Sequence, residues 1–391
     1  MNKKPNKVLK SLSFVLFLIA FTGFGYFIGK MGASASVEIP RITVVLIAVL
    51  FIPIFFIVVG IHEAGHALAG KWVGFDFRMY IVGPFMWNKE ETGWRFQWNK
   101  NVNLAGGMVV CMPTDTDDLG RRFSVYAAGG PVASLLLTLL AYGMYWLIAP
   151  GDIAGHVATQ TLAYFFLVMA FLSLVIFIVT AIPMHFGGFS SDCARVLRLL
   201  RGGETARFET LILKLIAGST SGLRPGLVNM DELNEAHALA IKLNAPFGVY
   251  LLSFYYQSAF DRGETEEAER YLLEYIGRAD EIPAGLRNAV WLDAAFFYAF
   301  AKRDLDTADK YWSQFKPAAM VPKAQILATE AAIAALKNQD QIALDKIESS
   351  LHELPNMIDK GFGMALQDKL IQLRGYVQHT ARPAIVMTRE S

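Results

Sequence analysis

The 391-residue chain has only two cysteines, Cys111 and Cys193. Neither lies in a C-x-x-C pair, so a disulfide framework and a cysteine-rich metal knot are both excluded. Charge is scarce as well: 18% of the residues are charged and 54% are hydrophobic, an unusual balance for a soluble protein. The net charge is +1, so no one-signed field invites nucleic acid, and no nucleic-acid partner is expected. No glutamate occurs between Glu91 and Glu204, and no long apolar run follows Arg201. With so few cysteines, any zinc must draw mainly on histidine and carboxylate. Near residue 202 an apolar half gives way to a charged one.

Four apolar stretches approach or exceed the ~20 residues that a bilayer-spanning helix needs: Leu12 to Ile28, Ile42 to Val59, Phe123 to Ile148 and Leu162 to Ile182. The first has a second reading. Lys3, Lys4, Lys7 and Lys10 precede it and Ala33-Ser34-Ala35 follows it, the pattern of a cleaved signal peptide. Both readings leave Val37 outside the cell. The segment from Lys71 to Arg122 carries Lys71, Arg78, Lys89, Arg95, Lys100, Arg121 and Arg122, and Arg195, Arg198 and Arg201 follow the last span. The loop from Pro150 to Val157 has no lysine or arginine. By the positive-inside rule the amino terminus, the long loop and the carboxy-terminal half are cytoplasmic, and the protein sits in the cell membrane.

Ile61-His62-Glu63-Ala64-Gly65-His66 contains H-E-x-x-H. At 100° per residue, His62 and His66 lie one turn apart on one helix face, and both imidazoles reach one metal. Glu63 is turned off the metal but can contact a water there and accept its proton. The motif continues the apolar helix from Ile42, where ionisable groups are costly and functional by default. Gly60, Ala64, Gly65, Ala67, Ala69 and Gly70 surround it, small residues that let helix backbones approach closely.

A zinc hydrolase site needs one more protein ligand and an open position for water. The last span ends Thr180-Ala181-Ile182-Pro183-Met184-His185-Phe186-Gly187-Gly188-Phe189-Ser190-Ser191-Asp192-Cys193. Here the chain resembles the site-2 protease family of intramembrane zinc metalloproteases. That family pairs H-E-x-x-H with a later N-x-x-P…D-G segment whose aspartate completes the zinc site. Pro183 and Asp192 match its proline and aspartate. Ala128-Gly129-Gly130-Pro131-Val132-Ala133-Ser134 is similar to its A-G-P-x-x-N element, and Leu104-Ala105-Gly106-Gly107-Met108 to its G-G segment. The resemblance covers about residues 42 to 201. It implies that His62, His66 and Asp192 hold Zn2+ and that Glu63 is the catalytic base.

Three positions depart from the family pattern. Ser134 and Thr180 stand where asparagine is usual, and Cys193 where glycine follows the aspartate. Serine and threonine keep a hydrogen-bonding group for substrate or oxyanion contacts; cysteine could itself approach a metal. His185 is either a reserve ligand or a histidine hydrogen-bonded near the membrane surface. Other metalloprotease classes do not fit. A membrane gluzincin needs a downstream glutamate that the apolar half lacks. A metzincin needs a third histidine where Trp72 stands.

Between Val73 and Arg122 the pattern has period two. Phe75, Phe77, Met79 and Ile81 alternate with polar residues, and so do Trp94, Phe96 and Trp98. Two half-buried strands joined by a polar turn from Asn88 to Gly93 are expected. The aromatic face suits a membrane interface. The hairpin either holds an extended substrate, as the resemblance implies, or only packs on the helices. From Gly202 onward the chain reads as amphipathic helices, with a flexible joint at Gly218 to Gly226. Ala259, Gly263 and Ala268 recur as Ala299, Arg303 and Ala308, then as Ala334, Asn338 and Ala343. The spacing is close to the tetratricopeptide period of about 34, and such arrays present concave surfaces to protein partners.

The expected architecture is an α-helical membrane protein of about four transmembrane helices with a membrane-associated β-hairpin and a soluble all-α helical-repeat domain. Its parts are residues 1–41, an N-terminal transmembrane helix or signal anchor; 42–201, the zinc metalloprotease core; and 202–391, a cytoplasmic tetratricopeptide-like domain. The expected function is zinc-dependent cutting of transmembrane protein substrates near the cytoplasmic face, within the lipid bilayer. The alternative is a catalytically inactive, membrane-anchored scaffold that presents the helical repeats.

Overall fold

The structure is a computed structural model. It describes residues 39–380, except residue 91 and the segments 100–105, 149–155, 187–188, 246–247, 283–286 and 318–320. The expected first span, Leu12 to Ile28, lies outside the described residues.

Three described helices are long and apolar enough to cross a membrane: α1 (Arg41–Trp72), α2 (Leu119–Ile148) and α3 (Val157–Ala181). They coincide with the three expected spans that can be compared. Contacts divide the chain into two units. The first holds the described residues up to Val58 together with Leu136–Leu174. Its helices turn apolar side chains outward; Val49, Leu140 and Leu147 are 67%, 68% and 79% exposed. Apolar surface on this scale is what lipid covers.

The second unit joins Val59–Leu135 to everything described from Val175 onward. It contains a four-stranded antiparallel sheet, β1 (Asp76–Val82), β2 (Phe85–Glu90), β3 (Gly93–Trp98) and β4 (Met108–Met112), in the order β3-β2-β1-β4. The expectation of two strands is corrected to four: the expected turn from Asn88 to Gly93 is present but shorter, joining β2 to β3 between Glu90 and Gly93, while Asn88 itself pairs with Met79 on one side and Arg95 on the other. The chain also turns earlier, between Val82 and Phe85, where Gly83 takes φ +55°, a left-handed value that glycine adopts without a Cβ penalty. The period-two signal fails in β2 because both of its faces are apolar. Met86 packs with Met79 and Ile81 on one face, while Phe85 and Trp87 meet the rings of Trp98 and Phe96 at an angle on the other. That second face runs on to Trp94, Phe96 and Trp98, all exposed. Nearer the helices it carries Val109 and Cys111, which pack with Ala67 and Phe75.

After α3 come a two-stranded ribbon, β5 (His185–Phe186) and β6 (Phe189–Ser190), and the helices α4 (Asp192–Arg201) and α5 (Gly203–Ser221). Helix α5 is bound to the sheet side of this unit. Leu213 and Ala217 pack on Leu119 and Phe123, and Thr220 Oγ1 donates to the Pro113 carbonyl at 3.2 Å. Beyond α6 (Met230–Lys242) three helical hairpins follow: α7 and α8 (Leu251–Asp261, Thr265–Gly277), α9 and α10 (Asn288–Phe297, Leu305–Trp312), and α11 and α12 (Lys323–Leu336, Asp340–Glu353). The recurring residues mark their corners. Gly263, Arg303 and Asn338 have φ of +81°, +54° and +55°, and the alanines flanking them are buried. A larger side chain there would hold the paired helices apart.

The final helix α13 (Lys360–Thr380) closes the array. The segment Gly218 to Gly226, expected as a flexible joint, is an anchored corner. Arg224 forms ion pairs with Asp261 at 2.7 Å and Asp368 at 2.6 Å, and the Gly226 N–H donates to Asp261 at 2.9 Å. The Ser219 hydroxyl donates to Asp359. These partners lie up to 144 residues away in sequence, so local glycine and serine content could not reveal them.

Candidate metal centre

The site begins with a close helix crossing. A Cβ added at Gly65 or Gly129 would collide with the other residue's backbone carbonyl, so α1 and α2 touch backbone to backbone, as small residues allow. One residue on, the α carbon of Gly130 faces the ring edges of His62 and His66. A Cβ there would lie 2.7 Å from His62 Nε2 and closer still to His66. The glycine pair thus opens room for two imidazoles at the crossing.

The outer nitrogen of each ring is held. His66 Nδ1 lies 2.9 Å from the Tyr126 carbonyl oxygen. A carbonyl only accepts, so Nδ1 carries the hydrogen and the Nε2 lone pair is free. The Gly130 N–H approaches the same nitrogen at 3.3 Å, too far to compete with the carbonyl. His62 Nδ1 pairs with Ser134 Oγ at 2.9 Å. Partners of this kind fix ring orientation and tautomer in metal sites.

The third group comes from α4. Ser191 caps that helix: its hydroxyl accepts from the Ala194 N–H at 3.3 Å and donates to the Ile182 carbonyl at 2.7 Å. This ties the helix to the end of α3. Asp192, the first helical residue, then points a carboxylate oxygen at His62 Nε2 (3.4 Å) and His66 Nε2 (3.5 Å). Burial alone pushes this carboxyl up, but hydrogen bonds and charge from the two imidazoles outweigh it and hold it well below the usual carboxylate range. Among the described residues, His62, His66 and Asp192 form one group that could hold a metal ion, with ligand atoms within 4.8 Å of one another. Three electron-rich atoms aimed at one point, two from imidazoles and one from a carboxylate, form a donor set that suits zinc. The fit is good.

Glu63 sits beside this group and is buried, at 9% exposure. Gly107, at φ +103°, lies against it; a Cβ there would stand 2.7 Å from Glu63 Oε1. The backbone N–H of Val109 bonds the Glu63 carboxylate. Tyr80 on β1 donates its hydroxyl to the Gly60 carbonyl, two residues before His62. Burial pushes that phenol up to about 12, so it stays a donor.

All four residues singled out as catalytic or metal-binding are thus brought together. The three positions that depart from the family pattern have separate places. Ser134, considered for substrate or oxyanion contact, bonds His62. Thr180 Oγ1 donates to the Ile176 carbonyl of its own helix at 2.9 Å. Cys193 is a half-buried free thiol outside the ligand group. His185 lies in β5, opposite Ser190, and its side chain is outside the described ones. Tyr126 was not anticipated, and neither was the distinct work of Gly130. The doubled glycine before Pro131 was the only sequence signal for either.

The sequence model of Peptidase family M50 matches residues 50–154. No curated protein and no solved structure matches the chain. A match to this family implies a membrane metalloprotease, and the family is one of zinc enzymes. The matched segment holds His62, Glu63, His66, Gly107, Tyr126, Gly130 and Ser134. It ends before Asp192, which the fold brings to the two histidines.

Proposed function

We propose that the protein is a zinc-dependent intramembrane endopeptidase. It hydrolyses peptide bonds of membrane-protein substrates near the cytoplasmic face. The observation that carries this reading is the convergence of His62 Nε2, His66 Nε2 and an Asp192 oxygen beside a buried Glu63. Zinc, when held by these three residues, supplies the Lewis acidity that activates water and stabilises charge on the scissile carbonyl. Glu63 accepts the proton of the attacking water at its carboxylate and returns it to the leaving amine nitrogen. Ser134 and the Tyr126 carbonyl keep the imidazoles aimed. The first test is metal content: the purified protein should carry about one zinc per chain, and Asp192→Ala should lower that occupancy and cleavage together. Full zinc occupancy in the Asp192→Ala protein would remove this residue from the site.

The substrate reaches Glu63 as an extended strand. β4 is the outer strand of the sheet, its Val109 N–H lies at Glu63, and an outer strand is a template for strand addition. The exposed Trp94, Phe96 and Trp98 rest in the membrane interface, where such rings partition. In this orientation, cysteine labelling from outside the cell marks a residue introduced at Asp152 and leaves one at Lys89 unmarked; labelling of both would refute it. The helical array recruits substrates or a protein partner. A chain ending at Ser221 keeps α5 on the sheet, and should still cut a generic transmembrane peptide while losing its physiological substrate. Equal processing of both substrates would rule recruitment out.

A further inference from the structure

We propose that Glu209 on α5 is a positioning residue for the metal centre: it grips Arg195 and Arg198 of α4 and so holds the Asp192 carboxylate at the two histidines. The inference rests on the reading of His62, His66 and Asp192 as zinc ligands and adds to it the group that aims one of them.

Helix α4 has only ten residues, and Asp192 stands at its first position. The cap at Ser191 pins that end to α3, but a rod pinned at one end can still pivot. The other end adds no restraint of its own. Gly202 and Gly203, with φ of +75° and +84°, join α4 to α5, and a Cβ added at either would meet nothing within 4 Å. A joint of two open glycines permits many angles between the helices it connects. The angle is set instead by Glu209, whose side chain is largely buried. Arg198 Nε donates to one of its carboxylate oxygens at 2.7 Å, and Arg195 forms an ion pair with the other at 2.8 Å. The two arginines are neighbours on one side of α4, about 4.5 and 9 Å along the axis from Asp192. Two grips on one side keep the helix from pivoting and from turning about its own axis.

Glu209 is itself tied to the frame that holds the histidines. Leu213 and Ala217 of α5 pack on Leu119 and Phe123 of α2. Thr210, next to Glu209, lies against Gly120 of α2, where a Cβ would stand 3.7 Å from its hydroxyl. Helix α2 also supplies the Tyr126 carbonyl that orients His66 and the Ser134 that bonds His62. Arg195 completes the tie, with its guanidinium 5.2 Å from the centre of the Phe123 ring. All three ligands are thus referred to one helix, the histidines directly and Asp192 through Glu209. The other charged residues of α5 serve a different neighbour. Glu204, Arg207 and Lys214 pair with Lys242, Glu235 and Glu232 of α6, and Glu209 turns back to α4.

Glu209→Gln keeps the size of the side chain and removes its charge. The zinc affinity of the full-length protein is measured by competition with a chelator. Glu209→Gln should weaken zinc binding about 10–100-fold, the usual effect of losing a group that orients a ligand. Lys214→Gln breaks an ion pair of the same helix with α6 and should leave the affinity at the wild-type level. The decisive comparison repeats Glu209→Gln in an Asp192→Ala background. With no carboxylate left to aim, the change should alter the remaining affinity by less than about twofold, whereas a residue that only supports the fold would cost the same in both backgrounds. Equal losses in the two backgrounds would overturn the proposal, and so would wild-type affinity in Glu209→Gln itself. Arg198→Lys is a milder variant that keeps the charge and loses the planar fork. Should Glu209→Gln fail to fold, Arg198→Lys goes through the same two backgrounds, and a loss that does not depend on Asp192 would equally end the proposal. A folded wild-type protein that binds no zinc would sink the metal centre itself, a different failure.

Discussion

Glu63→Gln should abolish peptide-bond cleavage while zinc occupancy stays at the wild-type level. Glu63 is next to the donor group but outside it: the converging atoms belong to His62, His66 and Asp192. Glutamine has nearly the same shape and can still accept the Val109 N–H, so packing against Gly107 should survive. What it lacks is the ability to take a proton from water and return it to the leaving nitrogen. A positioned acid–base group is worth about 10²–10⁴-fold in rate, and a fall of at least that size is expected. His62→Ala should behave differently, because it deletes a donor: zinc and activity disappear together. The two are separated by measuring zinc per chain and the initial cleavage rate on the same preparations. A Glu63→Gln protein cutting at the wild-type rate would end the assignment of Glu63 as the base.

Gly130→Ala should be nearly as damaging, although it removes no functional group. The added methyl would stand 2.7 Å from His62 Nε2 and press on His66 as well. Neither ring can retreat without losing its Nδ1 partner, Ser134 or the Tyr126 carbonyl. Overpacking a tight interior costs about 1–3 kcal/mol, and losing the groups that orient ligands weakens metal binding by about 10–100-fold. Zinc occupancy at limiting metal and cleavage should therefore both collapse. Gly143→Ala supplies the comparison on the same helix: nothing stands within 4 Å of a Cβ there, and the change raises helix propensity by about 1 kcal/mol. If Gly130→Ala bound zinc as tightly as Gly143→Ala, the crowding argument would fail.

Much of this protein could be read without its fold. The apolar runs placed α1, α2 and α3, because a segment without charge over some twenty residues has few places to go but a bilayer. H-E-x-x-H placed His62, Glu63 and His66 correctly relative to one another, because a single helix turn sets their geometry. The recurring alanines and Gly263, Arg303 and Asn338 marked the corners of helical hairpins, again a local property. In each case the residues that carry the information are neighbours along the chain.

What needed the tertiary structure involves partners distant in sequence. Asp192 lies more than a hundred residues from His62, and only the turn capped by Ser191 brings its carboxylate to the histidines; family resemblance had named it, but spacing could not. Strand β2 was missed because apolar residues on both faces erase the alternation that reveals a half-buried strand. The Gly218 to Gly226 segment reads as loose until Asp261, Asp359 and Asp368 arrive to hold it. Ser134 and Tyr126 gained their roles from a helix crossing that no local pattern encodes. Periodicity reports which side of an element is buried; which element it is buried against is decided by packing, and the site lies where those packed surfaces meet.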